Sequence, residues 1–357
     1  MDIHENVSLA EFTTLRLGGP ARFFVSVHSL EELREALAYA HTHTLPIFIL
    51  GGGSNTLFSD DGWKGIVIRI ALTGRDYTED TRGDAQVIAG AGESWDDLVR
   101  DMVKEGFWGM ENLSFVPGTV GATSVQNVGC YGVSASDIID WVEVLDTRTN
   151  DLHILSNADC MFGYRDSVFK HSEGRHYIVT RVAYRLSMHA TPKLAYKDLA
   201  LYFEGRDVVG ASEVREALRD IRGRKFPDIF TVGTAGSFFK NPIIQRAHAI
   251  QLATLFGEEV PQYVVDETQV KIPAAWILDK FGWKGKRVGQ VGCWEAQPLV
   301  LVHYGGGTAT ELILFAYDIV RDVQQRASIR LEPEVQVVGV SHGEGKRRTQ
   351  DTITPVS

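Results

Sequence analysis

Cysteine is scarce in this chain, with Cys130, Cys160 and Cys293 the only three in 357 residues. The number is odd and no pair has CxxC spacing, so neither a disulfide framework nor a zinc ribbon is expected, and a reducing cytoplasm suits it. Long apolar runs are missing too. Even "LILFAYDIV" falls far short of the roughly 20 residues that span a bilayer. The N-terminal "MDIHENVSLAEF" is acidic and has no apolar signal core. No histidines show HExxH or comparable ligand spacing, so no metal site is expected. Basic charge is also short: 36 Lys and Arg against 46 Asp and Glu leave a formal net charge of −10. That balance argues against a nucleic-acid or membrane partner, although a few local cations would still admit an anionic ligand. No GxxxxGK[ST] P-loop occurs and no internal repeat is visible.

What is present points to two or three domains, since one core rarely serves so long a chain. Strands and helices alternate at first. "SLEELREALAYAH" opens on a capping box, Ser29 to Glu32, with Leu30, Leu33 and Leu37 on one face. "LPIFIL", "GIVIRI" and "AQVIAG" read as strands. "SWDDLVRDMVKEG" reads as a helix, with Trp95, Leu98, Val99, Met102 and Val103 at helical spacing. Residues 110–136 are small, glycine-rich and aperiodic, which makes them a functional irregular segment rather than a disordered one. "WVEVLDTRTNDLHIL" reads as a hairpin. From Ala211 the pattern becomes helices with intervening strands: "SEVREALRDIRGRKFP", "QPLVLVHY" and "TATELILFAYDIVRDVQQRA". The tail beyond Gly339 is polar and expected to fray.

Six segments are weighed for chemistry, and each is weak alone. "ILGGGSNTLF" (49–58) offers unobstructed backbone N–H groups after a strand, a nest suited to a pyrophosphate, though three glycines more often make an ordinary turn. "HYGGGTATE" (303–311) mimics a dinucleotide fingerprint, but its third glycine is missing. "VPGTVGATSVQNVGCYG" (116–132) would either hug a flat ligand or fill an irregular core. In "FGYRDSVFK" the Tyr164–Arg165 pair offers a phenol beside a carboxylate clamp, although an Arg165–Asp166 surface pair is the commoner outcome. "GTAGSFFKNP" (233–242) reads as a close-approach loop presenting Ser237, and a lone serine is ordinarily a turn or cap residue. "LEPEVQVVG" places Glu332 and Glu334 at the start of a strand, where acids are usually solvated.

Taken in order, five of these segments, all but 303–311, resemble the UDP-N-acetylenolpyruvoylglucosamine reductase family, from about Leu15 to Gly339. The resemblance implies an α+β fold: a two-lobed FAD-binding region of the vanillyl-alcohol-oxidase type plus a C-terminal α/β substrate-binding domain. The expected divisions are 1–72, 73–210 with a lid insertion, 211–340, and a tail at 341–357. Gly51, Gly52, Gly53, Ser54 and Asn55 would hold the FAD pyrophosphate. Pro117, Gly118, Gly121, Ala122, Gln126, Asn127 and Gly129 would line the flavin. No histidine lies in 51–55, so the FAD is expected to be non-covalent.

The same resemblance assigns Tyr131, Tyr164, the lid residue Tyr196, Lys225, Asn241 and Gln297 to the substrate, UDP-N-acetylglucosamine enolpyruvate. Arg165 as a cation, and Glu334 as a hydrogen-bond donor if protonated, would stabilise charge developing at the substrate carboxylate, and Ser237 would protonate the α-carbon after hydride transfer. NADPH is the implied reductant and a monomer the expected state. Two departures stand out: Gln336 where relatives often carry arginine, and Cys130, read as a buried inert thiol. The competing readings are an FAD-dependent alcohol or hydroxy-acid oxidase of the same fold, and a non-catalytic nucleotide-sugar or flavin-binding module. Neither would need Ser237, Tyr196 and Glu334 together.

Overall fold

The computed structural model describes residues 1–79, 84–206 and 210–339; the expected tail at 341–357 lies outside them. The first lobe is a four-stranded sheet in the order His4–Ser8, Pro20–Val27, Trp63–Ile70, Ile47–Leu50. The last three strands are mutually parallel and the first is antiparallel. A parallel strand is covered on both faces and so reads as a continuous apolar run. Trp63–Ile70 does this: Ile66 and Ile68 enter the main core with Leu33, Ala36 and Ala40, while Val67 packs with Phe24, Phe48 and Phe58. Helix Leu30–Thr42 makes the crossover between two of these strands. Its Ser29 hydroxyl accepts from Glu32 N at 3.2 Å, but Glu32 reaches back to His28 N at 2.7 Å, one residue earlier than a reciprocal box requires.

The second lobe is a five-stranded antiparallel sheet ordered Leu152–Ser156, Ile139–Asp146, Tyr177–Ser187, Asp84–Gly90, Arg75–Glu79. Helix Trp95–Lys104 buries the five apolar residues its spacing singles out. Within the segment read as irregular, Val120–Gln126 is helical. Its Gly, Thr, Ser and Val content gives no apolar period and poor intrinsic propensity. Tertiary contacts hold it instead, including Thr123 Oγ1 3.1 Å from Tyr184 OH, and Asn127 ends it in the left-handed region (φ 44°). Beyond this lobe, the short helix Lys197–Tyr202 packs against helix Ala211–Lys225.

The C-terminal part carries two further antiparallel sheets, one ordered Gly233–Ser237, Val300–His303, Val291–Cys293, Arg287–Val288, the other Ile243–Gln245, Gln269–Lys271, Tyr263–Val264. Helices Arg246–Phe256, Ala274–Lys280 and Ala309–Ala327 cover them around Ile277, Leu278, Leu301, Leu312 and Ile319. The "GTAGS" stretch, expected as a loop, is an edge strand. Its pairing with Val300–His303 breaks between Thr234 and Ser237, where Gly236 sits at φ 72°. Small residues thus permit a bulge, and bulges re-aim side chains. The last strand, Gln336–Val338, leaves this part and pairs in parallel with Thr56–Phe58, just past the glycine run.

Candidate active site

The glycine run and the 117–119 turn face each other at close range. A Cβ on Gly51 would stand 2.8 Å from Thr119 Oγ1, and one on Gly52 would stand 2.8 Å from Gly118 Cα. Gly53 lies at φ 63°, where a Cβ would strike the Phe12 carbonyl. Ser54 Oγ closes the contact by donating to the Pro117 carbonyl at 2.9 Å. Ala122 borders Gly51, whereas Gly121 is small for another reason, because a Cβ there would meet Ala91 at 2.8 Å. The Thr119 hydroxyl is buried with no hydrogen-bond partner among the described residues. An unsatisfied buried hydroxyl beside a cradle that only glycine fits is what an anionic ligand, such as a dinucleotide pyrophosphate, would complete. The residues present therefore fit FAD.

Four chain segments converge on Glu334. Arg165 Nε donates to Glu334 Oε1 at 2.7 Å, with both side chains largely shielded from solvent. Gln126 Nε2 donates to the same oxygen at 3.3 Å. Asn55 Nδ2 donates to the Glu334 carbonyl at 3.1 Å, and Gln336 N donates to the Asn55 carbonyl at 2.9 Å. Glu334 N in turn donates to the carbonyl of Phe238, the residue after Ser237, at 2.8 Å. Arg165 is itself in the left-handed region (φ 55°), and its guanidinium also donates to the Gly129 carbonyl. Asn127 ties the 117–129 segment to the arginine loop, its Nδ2 donating to the Gly163 carbonyl at 2.7 Å. Ser237 is half-buried, and its Oγ makes no hydrogen bond among the described residues.

The residues expected to meet substrate sit on several separate elements. The Tyr131 and Tyr196 rings meet edge-on at 5.2 Å, which brings the chain around Tyr196 against the 129–132 turn. Burial, reinforced by Tyr263, pushes the Tyr196 hydroxyl up to about 12; burial also raises Tyr131, against the pull of the Arg222 charge. Lys225 pairs with Asp198 of the short helix at 2.5 Å. Asn241 N donates to Tyr164 OH at 3.3 Å, and the Lys271 ammonium stands 4.3 Å from the Tyr164 ring centre. Gln297 precedes the strand that pairs with Ser237, and its Oε1 is buried without a partner among the described residues. Cys130 donates its thiol proton to the Asn112 carbonyl, and burial raises its pKa, as suits an unreactive thiol.

Sequence reasoning missed Lys170, Arg222 and Lys271. Lys170 closes the very motif that carries Arg165, and its ammonium contacts the Arg165 carbonyl at 2.7 Å and the Gln126 side chain. Arg222 stood in a basic helix end, where dipole complementation was explanation enough. Lys271 had no local signal at all. Among the described residues no group of three or more His, Cys, Asp and Glu is placed to hold a metal ion, and no helix is long and apolar enough to cross a membrane.

Residues 21–155 match the family of FAD binding domains, which together with the glycine cradle makes the chain a flavin-dependent oxidoreductase. Residues 228–338 match the family described as UDP-N-acetylenolpyruvoylglucosamine reductase, C-terminal domain. A UDP-N-acetylenolpyruvoylglucosamine reductase from Pseudomonas fluorescens is 40% identical over 336 residues, covering 94% of this chain and 98% of the relative. One of the same name from Azoarcus sp. is 39% identical over 93% of this chain and 96% of its own length. The crystal structure of UDP-N-acetylenolpyruvylglucosamine reductase from Thermus caldophilus superposes with a TM-score of 0.64 at 26% identity, covering 94% of this chain and 99% of that one. The chain belongs to the UDP-N-acetylenolpyruvoylglucosamine reductase family.

Proposed function

We propose that the chain reduces UDP-N-acetylglucosamine enolpyruvate to UDP-N-acetylmuramate in the cytoplasm, with NADPH as reductant and FAD held without a covalent bond. The observation that carries this reading is the convergence of Arg165, the Ser237 strand and the glycine cradle on Glu334. When bound between residues 51–55 and 117–129, FAD supplies hydride chemistry. The chain's own residues do the rest. Hydride addition to the enol-ether β-carbon leaves negative charge on the α-carbon and the attached carboxylate. Arg165 would supply the fixed cation that stabilises that charge, and the Glu334 carboxylate, ion-paired to its Nε at 2.7 Å, holds the guanidinium for that role. Ser237 then passes its hydroxyl proton to the α-carbon. So weak an acid can serve only because the carbanionic carbon is strongly basic and a cation eases formation of the alkoxide.

Tyr196 and Tyr131 exclude water over this centre, while Lys225, Tyr164, Asn241 and Gln297 would orient the nucleotide-sugar. The buried, unpartnered Gln297 oxygen supports that last assignment, since a ligand N–H or O–H would satisfy it. The test is the visible spectrum followed anaerobically. NADPH should bleach the flavin, and the enolpyruvyl sugar alone should restore it. Colour that ignores the sugar and returns only with air would replace this reading with the alcohol or hydroxy-acid oxidase.

A further inference from the structure

We propose that Lys170 is a positioning residue for the Arg165–Glu334 pair, holding the backbone of the arginine directly and the carboxylate of the glutamate through the Gln126 amide. The inference rests on the functional reading above and extends it to a residue outside the reacting atoms. Lysine only donates hydrogen bonds. Because the Lys170 ammonium contacts Gln126 Oε1, the amide must turn its oxygen to the lysine and its NH₂ away. That NH₂ then points at Glu334 Oε1, 3.3 Å off, the oxygen that also accepts from Arg165 Nε at 2.7 Å. Glu334 is thereby gripped on one oxygen. Its Oε2 has no hydrogen bond among the described residues and is the one left to meet a ligand.

The second arm acts on the arginine. Arg165 occupies the left-handed region (φ 55°), which residues with a Cβ enter at a cost. Its carbonyl accepts from Lys170 Nζ at 2.7 Å, a contact that holds the peptide in that turn and so aims the guanidinium. An ordinary solvated lysine would do neither. This one is largely buried, and burial, with the Lys240 and Arg165 charges, outweighs the opposing pull of Asp166 and Glu334, bringing its pKa down to about 8. At neutral pH it remains a cation between its two acceptors.

The experiment compares the FAD-loaded wild type with Lys170→Met, Gln126→Met and the double variant in anaerobic stopped flow, following flavin reduction by NADPH and reoxidation by the enolpyruvyl sugar separately. In Lys170→Met, reoxidation should slow at least about tenfold more than reduction does. The double variant should be no slower than Lys170→Met, since both substitutions cut one chain of contacts. Equal slowing of both half-reactions, or losses that multiply in the double variant, would overturn the proposal. If Lys170→Met does not retain FAD, Gln126→Met, which keeps the lysine, must show the same split on its own. A wild type that the sugar does not reoxidise overturns the functional reading, and this inference with it.

Discussion

Ser237 illustrates how little one residue declares by itself. A serine after small residues is ordinarily a turn, yet here Gly236 lets the edge strand slip register, leaving a half-buried hydroxyl with no hydrogen bond among the described residues. If that hydroxyl delivers the proton, Ser237→Ala should still be reduced by NADPH at close to the wild-type rate. Its reoxidation by the enolpyruvyl sugar should fall by at least about a hundredfold, the usual weight of a general acid. Stopped-flow absorbance separates the two steps, and equal slowing of both would sink the assignment. Lys170 makes a second prediction, on stability. Its folded pKa of about 8 lies below the roughly 10.4 of a free lysine. Between those values the unfolded chain keeps a proton that the folded chain has lost, so stability rises with pH across that window. Relative to Lys170→Met, the wild type should gain on the order of 1–2 kcal/mol between about pH 7.5 and about pH 9.5. Urea midpoints at both values check it.

At the scale of elements, the long helix Ala309–Ala327 shows a cap that reaches across the molecule. Its own box is complete: Thr308 Oγ1 accepts from Glu311 N at 3.1 Å, and Glu311 accepts from Thr308 N at 2.8 Å. Asp60, from the first lobe, adds a second cap by accepting from Ala309 N at 2.8 Å and Thr310 N at 2.9 Å. Burial draws the Asp60 carboxyl upward, but these N–H groups and the Thr310 hydroxyl outweigh it and hold the pKa below the ordinary aspartate value. A folded pKa lowered in this way gives stability that is present at neutral pH and lost as pH falls below about 4. Asp60→Ala should therefore cost about 1–2 kcal/mol at pH 7. The deficit relative to wild type should shrink in acid. Chemical denaturation at neutral pH and at about pH 3 measures both, and a deficit that does not change with pH would contradict the cap.

At the scale of the whole molecule, the return of the chain matters most. Gln336–Val338 pairs with Thr56–Phe58, and Ser59 N donates to the Val338 carbonyl at 2.8 Å, so the last described strand ties the C-terminal part to the glycine lobe. Glu334 sits at that crossing. Removing residues from Gln336 onward should leave the C-terminal core intact yet loosen Glu334 from Asn55. Reoxidation by the sugar would then be lost while the flavin still reduces, whereas an unimpaired truncated enzyme would show that the strand is dispensable. FAD itself should come away in acid-denatured supernatant, since no histidine occupies 51–55. Flavin retained by the precipitated chain would contradict non-covalent binding.

Much of this was legible before any coordinates. The helices at 95–104, 211–225 and 309–327 announce themselves by apolar period, because an amphipathic helix must show one face to a core. The glycine run, Arg165, Ser237 and Glu334 could be named only because their segments, taken in order, resemble one family; each alone reads as an ordinary turn, surface pair or solvated acid. The tertiary structure alone decided what has no local signature. Helix Val120–Gln126 is made by its surroundings rather than its sequence. Lys170 matters only because folding brings Gln126, 44 residues earlier, against its ammonium. Glu334 becomes a site residue because a parallel strand, whose pairing partner lies some 280 residues away, carries it back to Asn55. Periodicity and turn chemistry act over a few residues and can be read along the chain, whereas ion pairs and strand registers act through space and exist only once it has folded.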